Sequence, residues 1–255
     1  MKIIKKVKKG FTLIELLVVI AIMASLGAVG YVAILNMSNA GDKQAAKENI
    51  KQIGTVLGQF KQQRGSYPCD ATAKMVEKRA AKYGELTGDT ANPYFRQLFA
   101  KKGAVKEATF YAKIGEGMIE GNESIDNGEC LTPGENAFAY VMRKPADAEP
   151  AKGKKKDVEA PTKSPITSGP LLFCCVGKFT EPVPGDQLTF DMEAFREYAI
   201  AYNVDGATID LDDDFLIPDE GNDSVGRLDE EQITKIFPEG SNNGANYIIL
   251  PPARN

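Results

Sequence analysis

Five lysines stand at positions 2, 5, 6, 8 and 9, and from Leu16 to Leu35 the chain then runs apolar, with Ser25 as its one polar side chain. At about 1.5 Å per helical residue this run is roughly 30 Å long, the thickness of a bilayer's hydrocarbon core. The pattern predicts a membrane-spanning segment over 16–35, with the lysines held in the cytoplasm and the residues after Leu35 on the far side. Glu15 sits at the edge of the run, where a carboxylate needs a cation or water. Polar residues then return at helical spacing, and Ile50, Ile53, Leu57 and Phe60 form an apolar stripe at intervals of three and four. One helix over 11–64 follows, about 80 Å long, its first half in the membrane and its second half laid on a head by that stripe. Gly54 and Gly58 read as weak points in it, and Gly27 and Gly30 as places of close helix approach or local melting. Gly65 and Pro68, in Arg64-Gly65-Ser66-Tyr67-Pro68, end it.

Residues 65–255 alternate between short periodic segments and turn-rich stretches. Asn92 to Phe99 predicts a short amphipathic helix anchored by Phe95, Leu98 and Phe99, and Glu135 to Val141 alternates like a strand. Leu171 to Val176 is a short apolar segment, Asp191 to Ala201 a short helix, and Thr208–Leu211 and Tyr247–Leu250 are strands. Asp205-Gly206 supplies a tight turn between Tyr202–Val204 and Ala207–Ile209. Between them, Lys144 to Pro170 holds Pro145, Pro150, Pro161, Pro165 and Pro170 with Lys154, Lys155 and Lys156, which predicts an exposed insertion. The expected class is α+β: a long N-terminal helix, membrane-spanning in its first half, packed on a C-terminal head with a small antiparallel sheet.

Composition narrows the chemistry. At 255 residues and 43% hydrophobic the chain supplies a sizeable core. Its formal charge is −4, and without the first ten residues it is −9, because five lysines leave with them. No broad cationic surface follows, so nucleic acid is not a favoured partner. The absence of histidine removes Ser-His-Asp and Cys-His catalysis and the HExxH metal site, and neither a phosphate-binding loop nor GxGxxG is present. No catalytic residue is assigned, and the expectation is that the chain is not an enzyme. Cys69, Cys130, Cys174 and Cys175 lie on the noncytoplasmic side, where one or two structural disulfides are favoured over buried thiols, and three complete connectivities are open. Asp210, Asp212, Asp213 and Asp214 concentrate oxygen ligands near Asp205, Asp219, Glu220, Asn222 and Asp223. A solvated acidic turn is the favoured account of this run, calcium is the metal compatible with it, and no cofactor is required.

The segment Lys8-Lys9-Gly10-Phe11-Thr12-Leu13-Ile14-Glu15-Leu16-Leu17-Val18-Val19-Ile20-Ala21 resembles the processing and assembly segment of type IV pilins and type II secretion pseudopilins. The resemblance covers roughly residues 8 to 65 and implies a leader over 1–10, cleavage by a prepilin peptidase after Gly10, N-methylation of Phe11, and use of Glu15 in subunit assembly. The Gly65-Ser66-Tyr67-Pro68 turn is similar to the region after the long helix in major pseudopilins, with an enlarged head following here. The same resemblance implies filament partners (further copies or mixed subunits), the peptidase, an inner-membrane assembly platform and a secretion substrate. It places the chain single-pass in the bacterial inner membrane with its head in the periplasm, and it strengthens the calcium assignment by analogy without fixing the ligands. The competing account is a membrane-tethered periplasmic binding module or enzyme carrying a pilin-like anchor.

Overall fold

The computed structural model describes residues 13–113, 118–121, 130–144, 163–174, 179–191, 200–211, 216–219, 222–237 and 244–254, leaving aside the side chains of 24–39, 218–219 and 222–224. The backbone divides into two units, Met1–Gly41 and Asp42–Asn255. Helix α1, Leu13–Arg64, has Glu15 in its first turn and Lys61 and Arg64 in its last, each matched to the helix dipole. It ends where expected: Gly65 takes φ +81°, a conformation that costs glycine nothing, and its N–H donates to Lys61 O at 2.7 Å.

In the second unit the predicted stripe is the buried one. Ile50, Ile53 and Leu57 are fully buried, and Ala46 and Phe60 extend the same face. Gly54 is not merely a weak point: a Cβ there would lie 2.1 Å from the Tyr202 ring, whereas one at Gly58 would meet nothing within 4 Å. The missing side chain at Gly54 lets helix and sheet approach closely.

Helix α2, Asp70–Ala80, buries Thr72, Ala73, Val76 and Ala80 on one face. Its start is closed by Thr72, whose hydroxyl accepts the Cys69 N–H at 2.8 Å and donates to Gln97 Oε1 at 2.7 Å. Asn92–Phe99 folds as α3, Ala91–Arg96, followed by a 3-10 turn at Gln97–Ala100. Phe95, Leu98 and Phe99 are buried there as expected.

The strands are β1 Phe138–Arg143, β2 Ser164–Pro165, β3 Pro170–Cys174, β4 Val183–Pro184, β5 Thr189–Asp191, β6 Ile200–Asn203, β7 Thr208–Asp210, β8 Leu216–Asp219, β9 Asn222–Leu228 and β10 Tyr247–Leu250, with helix α4 at Glu230–Ile236. All described pairings are antiparallel. The α+β class therefore stands, but the main sheet is not small: seven strands join in the order β4-β10-β1-β3-β6-β7, with β2 on β1, beside a separate β5-β9-β8 sheet.

Register assigns the two faces of the main sheet. Tyr140 pairs with Leu172, and Leu172 with Tyr202, so these share one face. That face meets the helices: the Tyr140 ring lies 5.4 Å from Phe95 and 6.1 Å from Tyr94. Ala139, Phe173 and Ala201 share the other, where Phe173 lies 6.0 Å from both Phe190 of β5 and Phe237 after α4. With both faces covered, Phe138 to Met142 are buried without a break, which corrects the alternation expected there.

Two further expectations change. The exposed insertion does not reach Pro170, because Ser164 and Pro165 pair with Arg143 and Met142, Ile166 is buried and Pro170 opens β3. Prolines are admitted at these places because they begin a strand or sit where a ladder is short. The expected helix Asp191–Ala201 is strand at both ends, since Asp191 closes β5 and Ile200 opens β6. Residues 192–199 and 145–162 lie outside the described residues.

Candidate assembly site

Apolar side chains normally leave water on folding, and in the first unit they do not. Leu13, Ile14, Leu16, Leu17, Val18, Val19, Ile20, Ile22 and Met23 are all exposed, from 46% at Val19 to 81% at Leu13. These consecutive residues point all around α1, so the helix lacks a polar face here and presents apolar surface in every direction. A helix apolar all round is built to be covered by lipid or by other helices. Among the described residues no helix is long and apolar enough to cross a membrane, and the side chains of 24–39 within the apolar run lie outside that description. Glu15 is in the first turn of α1 and exposed, one turn into this apolar surface. Gly10 and Phe11 lie outside the described residues.

The head contains a buried polar cluster that the sequence reading missed. Asn92 Nδ2 donates to Leu131 O at 2.8 Å, while Asn92 Oδ1 accepts from Asn136 Nδ2 at 2.9 Å and from Ala253 N at 3.1 Å. One turn on, Arg96 donates through Nε to Cys130 O at 2.7 Å and through Nη2 to Leu131 O at 3.2 Å. Glu107 Oε1 accepts the Leu131 N–H at 2.8 Å and Glu135 Oε2 the Thr132 N–H at 2.6 Å. These contacts hold the backbone at 130–135, where Leu131 takes φ +49°, a left-handed conformation that non-glycine residues adopt at a cost. The one local signal was the i, i+4 spacing of Asn92 and Arg96 on a short helix.

The electrostatics of this cluster follow burial. Desolvation, then the Glu107 carboxylate, push the Cys130 thiol well above the usual thiol range, so it stays protonated and unreactive. Arg96 is lowered by burial, opposed by Cys130 and by the Glu85 and Glu135 carboxylates. Tyr94 is raised by burial and by its hydrogen bond to Asp70 Oδ1 at 2.8 Å, and Tyr140 by complete burial.

Cys69, Cys130 and Cys174 are buried and no disulfide joins them to one another, while Cys175 lies outside the described residues. Of the acidic run, Asp210 is at the end of β7 and accepts Lys47 Nζ of α1 at 2.7 Å, so its charge is already met by a cation. Asp212, Asp213 and Asp214 lie outside the described residues, and among those described no group of acidic or cysteine side chains is arranged to hold a metal ion.

Comparison with known proteins finds one match. The prokaryotic N-terminal methylation motif matches residues 5–31, which contain Gly10, Phe11, Glu15 and most of the exposed apolar helix. No curated protein and no solved structure matches the chain. The motif accounts for a helix that exposes its apolar residues and implies prepilin peptidase processing and filament assembly in general. In its N-terminal segment the chain thus carries the prokaryotic N-terminal methylation motif, the signature of type IV pilins and pseudopilins.

Proposed function

We propose that the chain is a structural, non-catalytic subunit of a type II secretion pseudopilus or a related type IV filament. The supporting observation is the coincidence of the methylation motif at 5–31 with an α1 surface on which every large apolar side chain from Leu13 to Met23 is exposed. In this reading a prepilin peptidase hydrolyses the Gly10–Phe11 peptide bond on the cytoplasmic side and the new amine of Phe11 is methylated. The precursor is held single-pass in the inner membrane by 16–35, whose roughly 30 Å helical length suits a bilayer. Extraction into a filament exchanges lipid for neighbouring helices around the same apolar residues, so the apolar surface is covered in both states. The Glu15 carboxylate then meets the Phe11 amine of its own or an adjacent chain, an ion pair that fixes helix register where a lone charge is costly. The pseudopilin assignment is preferred to a surface pilin because of the Gly65-Ser66-Tyr67-Pro68 exit from the helix.

Intact-mass and N-terminal peptide analysis of membrane-extracted protein, from cells with and without the prepilin peptidase, tests the reading. The expected species begins at N-methylated Phe11 only when the peptidase is present. A chain that keeps residues 1–10 in both strains is a simple membrane tether, and the binding-module or enzyme account then replaces the filament one.

A further inference from the structure

The two sides of the head carry opposite charge. Residues 42–106, which build the helical side, contain thirteen lysines and arginines against six acidic residues. Residues 179–191, 216–219 and 222–237, from which Phe190 and Phe237 cover the other face of the main sheet, contain two against eight. On the helical side Lys78, Arg79 and Lys82 are exposed along α2 and the turn after it, and Lys101 and Lys102 are exposed after the Gln97–Ala100 turn. The Tyr83 and Phe99 rings, 5.9 Å apart, bring these two turns together, so the five cations form one surface. None of the five forms an ion pair among the described residues. On the opposite side Glu181, Asp186, Glu230 and Glu231 are exposed, and among the described residues only Glu231 has a basic partner there, Lys235.

We propose that heads associate head to tail, the basic α2 side of one copy of this chain against the acidic side around Asp186 and Glu230 of the next. A single copy cannot bring its two sides together, because the sheet lies between them. A second copy offers each side its complement. Such a contact is heterologous and leaves a free basic side and a free acidic side at every step, which generates an open array rather than a closed dimer. The proposal rests on the filament reading for the setting in which heads are held in a row. There the effective concentration set by packed α1 helices makes a weak, screened contact sufficient. An anionic lipid surface complements the basic side alone and leaves the acidic side unexplained, so a second copy is the occupant favoured.

Full-length processed protein in neutral detergent tests this by sedimentation velocity. Moving from about 0.01 M to about 1 M salt shortens the screening length from about 30 Å to about 3 Å and is expected to dissociate the wild type. One variant carries Lys101→Glu with Lys102→Glu, and a second carries Glu230→Lys with Glu231→Lys. Each alone is expected to lose association at least tenfold at low salt, and an equimolar mixture to regain it, since each then presents what the other lacks. Unchanged circular dichroism and melting temperature qualify both variants. If either fails to fold, Lys78→Glu with Arg79→Glu, or Glu181→Lys with Asp186→Lys, takes its place.

Variants that associate as the wild type does, or a mixture that fails to recover, overturn the proposal. So does a basic-side variant that keeps self-association but loses binding to vesicles containing phosphatidylglycerol, which assigns that side to lipid. Filaments in cells whose purified subunits show no salt-dependent association count against this proposal alone. Salt-dependent association of a chain that is never cleaved at Gly10 counts against the filament reading alone.

Discussion

Replacing Gly54 by alanine sets two known effects against each other at one site. In a helix interior the change from glycine to alanine is favourable by about 1 kcal/mol. At Gly54 the new methyl would lie 2.1 Å from Cε1 and Cζ of Tyr202 and 2.7 Å from Cδ1, well inside van der Waals contact. Tyr202 is 8% exposed, so its ring cannot swing into open solvent without moving β6 or α1. Overpacking of this kind costs about 1–3 kcal/mol, and the depth of the overlap places Gly54 in the upper part of that range. The expected net loss is about 1–2 kcal/mol. Gly58→Ala provides the control, since it sits one turn further along the same helix, meets nothing within 4 Å and keeps the propensity gain of about 0.5–1 kcal/mol. For a protein of this size 1 kcal/mol moves the melting temperature by about 2–4 °C, so the two variants are expected to melt on opposite sides of the wild type, roughly 3–12 °C apart. Thermal melts followed by far-ultraviolet circular dichroism on detergent-solubilised full-length protein decide it. In a Tyr202→Ala background the sign at Gly54 is expected to reverse, because the clash is gone and only the helix gain is left. A Gly54→Ala protein that melts at or above Gly58→Ala in the wild-type background would falsify the claim that this glycine sets the approach of α1 to the sheet.

Asn92→Ala leaves the Ala253 N–H without its partner, while Leu131 O keeps Arg96 and Asn136 Nδ2 keeps Phe138 O, and is expected to cost about 2 kcal/mol in urea unfolding; a loss below about 1 kcal/mol means water replaces the amide. The raised Tyr94 and Tyr140 hydroxyls hold their protons in the folded state while the unfolded chain releases them near the ordinary value of 10.0, so their contribution is complete below that pH and is lost as pH climbs through the folded values. Stability is therefore expected to fall steadily above about pH 10, and Tyr140→Phe, which also gives up the bond to Pro68 O at 2.9 Å, is expected to have lower stability at neutral pH and a shallower alkaline slope. Lys47→Ala removes the partner of Asp210, but both side chains are partly exposed, so the expected loss is no more than about 0.5 kcal/mol and is expected to vanish in high salt.

What the sequence made legible depended on whether a signal was local. The stripe Ile50, Ile53, Leu57 and Phe60 repeats with the helix it belongs to, and the stop at Gly65 lies one residue beyond the last turn, so both could be read without knowing what they touch. The processing motif is more local still: Gly10, Phe11, Glu15 and the apolar run stand in a fixed order, and the methylation motif matched at 5–31 spans the first three and most of the run. Gly54 carries the opposite lesson. Its propensity cost is visible in the sequence, but its benefit comes from Tyr202 on a distant strand, so reading it as a weak point captured only the cost. The burial of Phe138 to Met142 on both faces depends equally on partners elsewhere, helices on one side and Phe190 and Phe237 on the other. Asp210 read in sequence as part of a solvated acidic turn or of a calcium site, and its ion pair with Lys47 of α1, 163 positions away, could not be read there. In the proposed function the N-terminal segment is recognised as linear sequence by a peptidase and by neighbouring helices, so its information is written consecutively. In the head residue meaning is set by three-dimensional pairing, which is why the N-terminal motif was legible in the sequence before the partners of Gly54 and Asp210.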